Sequence, residues 1–258
     1  MLDVRALTVS FGGVRPLDGV TFELPAGVCG LVGPNGAGKT TFFNLLTGFD
    51  EPGQGRWTFD GQEISGKSSH HLARLGMVRT FQLTKSLSRL SVMENMKLGA
   101  QHQRGEKFWS SLVRPLWRSQ EQEIEARAEG LLERFRMTHM RDEYAGSLSG
   151  GQRKLLEMAR ALMSDPRLIM LDEPMAGVNP ALTQSLLGHI KSLRDEARTV
   201  LFVEHDMDVV HDISDWVIVM AEGRVIAEGP PDSIGTNTEV IDAYLGVHHD
   251  MDLGGDHG

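Results

Sequence analysis

Nine consecutive residues, Gly33 to Thr41, have the composition and spacing of a loop that binds a chain of phosphates. They read Gly-Pro-Asn-Gly-Ala-Gly-Lys-Thr-Thr and match the pattern G-x-x-x-x-G-K-[ST]. Glycines in such a loop let successive backbone N–H groups point at phosphate oxygens, where side chains would obstruct them. Lys39 is placed to neutralise β and γ oxygens, and Thr40 to give its hydroxyl to Mg²⁺. The predicted nucleotide-binding residues here are Gly33, Pro34, Asn35, Gly36, Ala37, Gly38, Lys39, Thr40 and Thr41.

The segments on either side of this loop have the properties that such a site needs. An apolar stretch, Val28 to Val32, precedes it and predicts a strand. A helix is predicted from Thr40 to Thr47, stopped by Gly48. The N-terminus of that helix adds a positive dipole at the phosphates. This context makes a chance glycine turn a poor explanation of the motif.

Two acids end a second apolar strand, predicted over Leu168 to Leu171. Asp172 is expected to contact Mg²⁺, directly or through water, and Glu173 to polarise the attacking water as general base or positioning group. Taken alone, two acids after an apolar run are usually a solvated strand end. Their order after the phosphate loop favours the catalytic interpretation.

Leu148-Ser149-Gly150-Gly151-Gln152 forms another glycine motif, placed before a predicted helix. Its serine and amides would lie at a helix N-terminus, which is an anion site. A serine-capped helix with a flexible entry explains the same residues without any ligand. Because one triphosphate does not need two such sites in one subunit, the second site is predicted to serve ATP held by a partner.

The remaining pattern predicts how these motifs are arranged along the chain. The first 60 residues read as short strands between glycine turns, predicted over Val4 to Phe11, Val20 to Leu24, Val28 to Val32 and Arg56 to Phe59. Strand signals vanish from about Leu83 to Met163, where apolar residues recur at helical spacing. After Pro166, strands and helices alternate, with strands predicted over Leu168 to Leu171, Thr199 to Val203 and Trp216 to Met220, which implies a largely parallel sheet. The helix from Pro180 has Asn179 at its N-cap position.

Composition excludes several classes of protein. The 258 residues carry a formal net charge of -9, which argues against broad binding to nucleic acid. Apolar runs such as Val217 to Ala221 are far shorter than the roughly 20 residues that span a bilayer. The first residues lack the features of a secretory signal, so a cytosolic site of action is expected. The single cysteine, Cys29, has no internal disulfide partner and is expected to be a buried hydrophobe.

In combination and order, these motifs resemble the ATP-binding subunits of ABC transporters, over almost the whole chain to about Gly246. The resemblance implies a P-loop NTPase (RecA-like) α/β core with an N-terminal antiparallel β subdomain and an inserted α-helical subdomain. The ATPase domain would span 1–246, with its core in 1–83 and 164–246 and its helical subdomain in 84–163. Residues 247–258 are polar and expected to be a disordered tail.

The resemblance also assigns roles to single residues. It places Phe11 at the adenine-stacking position, Gln82 in the loop that couples metal and water to the helical subdomain, and His205 at the γ-phosphate. Two ATP molecules would be sandwiched in a head-to-tail dimer, with the second glycine motif acting in trans. The implied ligands of that motif are Ser149, Gly150, Gly151 and Gln152. Asn179 replaces an Asp found in many relatives, so either an altered contact across the dimer or an N-cap role would explain it.

Local details are most similar to importers of branched-chain amino acids: Val78 to Gln82, Ala176 to Pro180, the insertion around Gln101 to Ser119, and Ala243 to Gly246. ATPases of urea or amide importers and of lipopolysaccharide export share parts of this pattern. The importer interpretation implies permease subunits, a second ATPase subunit, either identical or paralogous, and indirectly an external solute-binding protein. The chain would then act at the cytoplasmic face of the membrane. Non-transport ABC ATPases mostly have tandem modules or a long coiled coil, which this sequence lacks.

Overall fold

The computed structural model describes residues 1–50, 53–80, 87–100 and 115–244, with the backbone alone for 115–118. The described chain divides into two compact units. The first contains Met1–Met77, Arg167–Pro174 and the described residues from Ile190 onward, and the second contains residues from Val78–Pro166 and Met175–His189. The predicted insertion at 101–119 lies mostly outside the described residues, and the predicted tail at 247–258 lies entirely outside them.

In the described part of the chain, ten strands form two sheets. They are β1 (Leu2–Phe11), β2 (Val14–Leu24), β3 (Val28–Val32), β4 (Gln54–Phe59), β5 (Gln62–Glu63), β6 (Met77–Arg79), β7 (Leu168–Asp172), β8 (Thr199–Val203), β9 (Trp216–Ala221) and β10 (Arg224–Gly229). The antiparallel sheet has the order β2-β1-β4-β5, and the larger sheet has the order β10-β9-β3-β8-β7-β6. Strands β9, β3, β8 and β7 are parallel neighbours, whereas β10 is antiparallel to β9.

The central strands of the larger sheet are buried because both of their faces are covered. Every residue of β3 and of β8 is buried, and both strands read as continuous apolar runs rather than alternating ones. Apolar side chains of the antiparallel sheet join them in one core, where Phe22 packs against Phe42 in a tilted arrangement with ring centroids 5.3 Å apart. This core gives the loops at the carboxyl ends of the strands a rigid base.

Eight helices complete the described chain. They are α1 (Lys39–Leu46), α2 (Ser69–Arg74), α3 (Val92–Leu98), α4 (Pro115–Arg134), α5 (Gly150–Leu162), α6 (Pro180–Asp195), α7 (Met207–Ile213) and α8 (Pro231–Ile234). Asn179 caps α6 by accepting a hydrogen bond from the Leu182 amide at 3.0 Å. The apolar stripe along α6 is buried at Leu186, Ile190 and Leu193, as its helical spacing predicts.

The second unit is built from α3, α4, α5 and the first part of α6. The end of α3 approaches α5 closely, because a Cβ on Gly99 would lie 2.3 Å from the carbonyl oxygen of Arg160. Lys97 on α3 forms an ion pair with Glu125 on α4 at 2.9 Å. Val92, Met93 and Met96 are buried, so these α3 side chains pack internally.

The structure confirms the α/β class, the antiparallel β-rich start and the helical character of the middle of the chain. β3 and β8 have the predicted bounds, and β1, β4, β7 and β9 differ from prediction by at most two residues at each end. The prediction missed β5, β6 and β10, and it started β2 six residues too late. Among the described helices, none is long and apolar enough to cross a membrane.

Candidate nucleotide-binding and catalytic site

The phosphate loop follows β3 and leads into α1, as the sequence predicts. Lys39, the first residue of α1, is only 7% exposed. Its ammonium donates to the carbonyl oxygens of Gly33 at 2.6 Å and Pro34 at 2.9 Å. Burial lowers the pKa of Lys39, and the Glu173 carboxylate opposes that shift. The ammonium group of Lys39 is therefore held inside the phosphate loop, where it can neutralise the charge of a bound triphosphate.

Two glycines of the loop can be replaced by no other residue without moving backbone. Gly33 has φ 150° and Gly38 has φ 98°. A Cβ on Gly33 would lie 2.0 Å from the carbonyl oxygen of Met220, and one on Gly38 would lie 2.2 Å from that of Pro16. Since both obstacles are backbone atoms, the glycines fix how closely the loop packs against its neighbours.

The start of α1 has the properties of an anion site. Within the described residues no side chain caps its first amides, and its first turn holds no acid. Its dipole and amides therefore remain available to an anion. Thr40 is exposed there and Thr41 is partly buried, while Asn35 and Gly36 are exposed at the tip of the loop. The binding roles of these residues stay predictions.

The carboxyl ends of three adjacent parallel strands meet at this edge of the sheet. β3 leads into the phosphate loop, β7 ends in Asp172, and β8 leads into Glu204 and His205. Asp172 stands opposite Val203 in the β7–β8 register. Ligands of open α/β sheets bind at this edge. The Thr40 hydroxyl and the Asp172 carboxylate are hard oxygen donors, a set that fits Mg²⁺.

Glu173 and His205 are brought together across two strands. The Glu173 carboxylate lies 2.9 Å from the Nε2 atom of His205, and both side chains are about half exposed. Glu173 has φ 46°, and its amide donates to the Val203 carbonyl at 3.1 Å. Only a minority of residues other than glycine adopt this left-handed backbone, and they concentrate at functional sites. The geometry thus places the predicted general base and the predicted γ-phosphate contact side by side.

Phe11 lies at the end of the β1–β2 hairpin and has the exposure that a stacking platform needs. It pairs with Val14 across the two-glycine turn at Gly12 and Gly13. The Phe11 and Val14 side chains are 54% and 67% exposed. An exposed aromatic ring beside an apolar neighbour offers a surface on which a base can stack.

The second glycine motif lies in the other unit, at the N-terminus of α5. The Ser149 hydroxyl accepts from the Gln152 amide at 3.3 Å, and the Gln152 side chain accepts from the Ser149 amide at 2.8 Å. This capping box is the ligand-free role considered for the motif. Ser149 and Gly150 are exposed. Gly151 is buried, and a Cβ atom at this position would lie 2.4 Å from the Cδ1 atom of Leu182. The absence of a side chain at Gly151 therefore leaves room for Leu182.

Three further residues complete the comparison with the sequence. Gln82, predicted to contact metal and water, lies outside the described residues. Asn179 is the N-cap of α6, a role that Asp fills equally well, so an altered contact across the dimer stays a prediction. Tyr244, which belongs to one of the segments that carry the family resemblance, lies at the phosphate loop. Burial raises the pKa of its phenol, and the nearby Gly33 amide lowers it. No local signal could have placed it there.

Comparison with known proteins agrees with this geometry. A family model described as "ABC transporter" matches residues 17–176, and a model described as "Branched-chain amino acid ATP-binding cassette transporter" matches 224–250. The ADP conformation of MJ1267, an ATP-binding cassette of an ABC transporter, has a similar crystal structure: TM-score 0.84 and 36% identity, covering 95% of this chain and 98% of that one. This chain therefore belongs to the ABC transporter family, as an ATP-binding cassette.

Within that family, three similar proteins are described as branched-chain amino acid transport ATP-binding proteins. The probable branched-chain amino acid transport ATP-binding protein LivG of Archaeoglobus fulgidus is 42% identical over 96% of each chain. The high-affinity branched-chain amino acid transport ATP-binding protein LivG of Escherichia coli K12 is 40% identical, over 95% of this chain and 98% of its own. BraF of Pseudomonas aeruginosa, described in the same words, is 42% identical over 95% and 98%.

Proposed function

We propose that this chain binds and hydrolyses ATP to power the import of branched-chain amino acids through a membrane permease. The observation that carries the proposal is the convergence of the phosphate loop, Asp172, Glu173 and His205 at the carboxyl ends of β3, β7 and β8. The solute is inferred from the description of the relatives and of the family model at 224–250. The ATPase chemistry follows from the residues themselves.

Binding of the triphosphate depends on the loop and the start of α1. The backbone amides there donate hydrogen bonds to phosphate oxygens, the helix dipole attracts the negative charge, and Lys39 exchanges its bonds to the Gly33 and Pro34 carbonyls for bonds to phosphate oxygens. Thr40 and Asp172 would hold Mg²⁺, which supplies charge neutralisation when bound. The adenine ring stacks on Phe11.

Hydrolysis depends on the carboxylate beside the histidine. Glu173 orients the attacking water and accepts its proton, while His205 keeps that carboxylate in place and faces the γ-phosphate. Gln82 reports the state of this site to the helical subdomain. Phosphoryl transfer needs little covalent work from a protein, so positioning of these groups carries most of the catalysis.

Transport requires a second copy of the cassette. Ser149, Gly150, Gly151 and Gln152 of one subunit complete the ATP site of another in a head-to-tail dimer, so ATP closes the dimer and hydrolysis reopens it. The partner cassette is identical or paralogous, and permease subunits couple this cycle to the solute. The complex lies at the cytoplasmic face of the membrane and receives its solute from an external binding protein.

Two substitutions separate binding from hydrolysis. Lys39→Ala should remove most ATP affinity, whereas Glu173→Gln should keep it and accumulate a closed, ATP-bound dimer. Glu63→Gln is the matched control, because Glu63 pairs with Arg56 on the antiparallel sheet and not at the carboxyl ends of β3, β7 and β8. ATP binding, ATPase rate and dimer mass are measured for each variant. Hydrolysis by Glu173→Gln at the parental rate would refute the role given to Glu173.

The solute is tested in liposomes that contain the cassette, its permeases and its binding protein. Uptake of labelled leucine that requires ATP and is lost in Glu173→Gln supports the proposal. Uptake of urea or a short amide in place of leucine would assign the chain to the related importers. Co-purification with ribosomes or repair factors and no membrane protein would exclude transport.

A further inference from the structure

The hairpin that carries Phe11 and the phosphate loop belong to different sheets, and beside the shared hydrophobic core a set of polar contacts joins them. Phe11 lies on β1 of the antiparallel sheet, whereas the loop follows β3 of the larger sheet. A nucleotide that uses both must find them at a fixed separation. The structural element that sets this separation therefore affects nucleotide affinity, although it touches no part of the ligand.

The main-chain part of this joint runs from β2 to the phosphate loop through the β9–β10 turn. The Asp18 amide donates to the Gly223 carbonyl at 2.8 Å, and the Gly223 amide donates to the Ala37 carbonyl at 3.2 Å. Gly223 has φ 76°, and a Cβ there would lie 2.7 Å from the carbonyl oxygen of Pro16. The turn is thus closely packed between the strand of the hairpin and the loop.

The side-chain part is a carboxylate held between two guanidinium groups. Asp18 accepts from Nε of Arg224 at 2.9 Å and also from its Nη2 atom. Its other oxygen accepts from Nη1 of Arg15 at 3.1 Å. These hydrogen bonds, that to Arg224 foremost, lower the pKa of Asp18, so the carboxylate is ionised at neutral pH. Arg224 begins β10 and Asp18 lies on β2, so the pair connects the two sheets directly.

We infer that Asp18 and Arg224 are positioning residues for nucleotide binding: their ion pair holds the base-stacking Phe11 in register with the phosphate loop. The inference rests on the proposed ATP site and adds to it two residues that contact neither base nor phosphate. Because Arg224 is exposed and Asp18 only partly buried, the pair contributes little to global stability. Its effect is expected in the part of ATP affinity that comes from the adenine ring.

The test compares ATP with tripolyphosphate, which has the phosphates but no base. Phe11→Ala should weaken ATP about tenfold, the scale of base-aromatic stacking, and leave tripolyphosphate unchanged. Asp18→Asn and Arg224→Gln should each weaken ATP about three- to tenfold, also without affecting tripolyphosphate. The Asp18→Asn/Arg224→Gln double variant should bind ATP as well as the single variant with the lower ATP affinity, because either change breaks the same ion pair.

Asp212→Asn is the control, since it breaks an exposed pair with Lys191 that is unconnected to the loop. It should bind both ligands normally, and all variants should melt within about 2 °C of the parent. Equal loss of ATP and tripolyphosphate in Asp18→Asn and Arg224→Gln would overturn the inference, as would normal ATP binding by both. Normal ATP binding by Phe11→Ala would instead refute the stacking role, while the Lys39 and Glu173 variants test the ATPase proposal separately.

Discussion

Replacement of Ser149 by Ala separates the two roles that its hydroxyl has in the proposed site. As an N-cap, the hydroxyl accepts from the Gln152 amide. As a ligand in trans, it would donate its proton to a phosphate oxygen of the ATP held by a partner subunit. One hydroxyl can do both, because it has one donor and two acceptor positions. Ser149→Ala removes both interactions at once, so a control must remove the cap alone.

The chain contains that control in the same unit. Ser91 caps α3 with the same capping box: its hydroxyl accepts from the Glu94 amide at 3.1 Å, and the Glu94 carboxylate accepts from the Ser91 amide at 2.7 Å. Loss of an N-cap costs about 1 kcal/mol. Both Ser91→Ala and Ser149→Ala should therefore lower the melting temperature by roughly 2–4 °C in a protein of this size.

Activity should distinguish the two variants. A hydrogen bond to a charged phosphate contributes about 1.5–3 kcal/mol, so Ser149→Ala should slow ATP hydrolysis by the assembled transporter roughly 10- to 100-fold. Ser91→Ala should stay within about twofold of the parent, because that cap serves stability alone. Ser149→Thr, which keeps a hydroxyl, should recover part of the loss. Rates are measured well below the melting temperature of each variant.

Equal loss of activity in Ser91→Ala and Ser149→Ala would refute the trans role. The loss would then follow from a weakened helix terminus, and the motif would be a serine-capped helix without a ligand. A large loss in Ser149→Ala with an unchanged melting temperature would contradict the capping geometry instead.

Three further predictions concern buried groups. Tyr244→Phe should leave the free energy of unfolding in urea unchanged or raise it by up to about 1 kcal/mol. The reason is that the buried Tyr244 hydroxyl lies near the Gly33 amide but forms no hydrogen bond of normal geometry within the described residues. A decrease of more than about 1 kcal/mol would show that the hydroxyl is hydrogen-bonded. Cys29, with a pKa raised to about 12 by burial, should react with a thiol reagent at pH 8 at the unfolding rate only; prompt labelling would contradict its burial. His189 stacks on Phe135 with ring centroids 4.2 Å apart, and burial, followed by the charges of Arg134 and Arg136, lowers its pKa. The melting temperature should therefore fall as pH drops below about 6.5, and less steeply in His189→Phe than in the parent. Parallel pH profiles of the two proteins would exclude His189 as the cause.

Local patterns predicted the elements that depend on local information. The loop from Gly33 to Thr41 is recognisable because its glycines, lysine and threonine are adjacent in sequence, and β3 and β8 because buried parallel strands are uniformly apolar. β10 was missed since most of its residues are exposed or only partly buried, without alternation, and two of them are charged. Its place is decided by pairing with β9, which no local pattern encodes.

The parts of the site that escaped prediction are those made by long-range contacts. Asp18 and Arg224 are 206 positions apart, and Tyr244 meets the loop of Gly33 from the far end of the described chain. An aspartate on a strand and an arginine after a turn are ordinary surface residues when read singly. Only the fold brings Asp18 and Arg224 together, so a single sequence contains no signal for their pairing.

The left-handed backbone of Glu173 means that stability and turnover are selected in opposite directions at that position. A non-glycine residue in such a conformation costs about 1–2 kcal/mol, which glycine would recover and asparagine would reduce. A library selected for heat resistance alone should therefore enrich Gly or Asn at position 173, whereas one selected for growth on the imported solute should keep Glu. The two selections would therefore favour different residues at position 173. Versions of the cassette selected for heat resistance are expected to bind ATP without hydrolysing it.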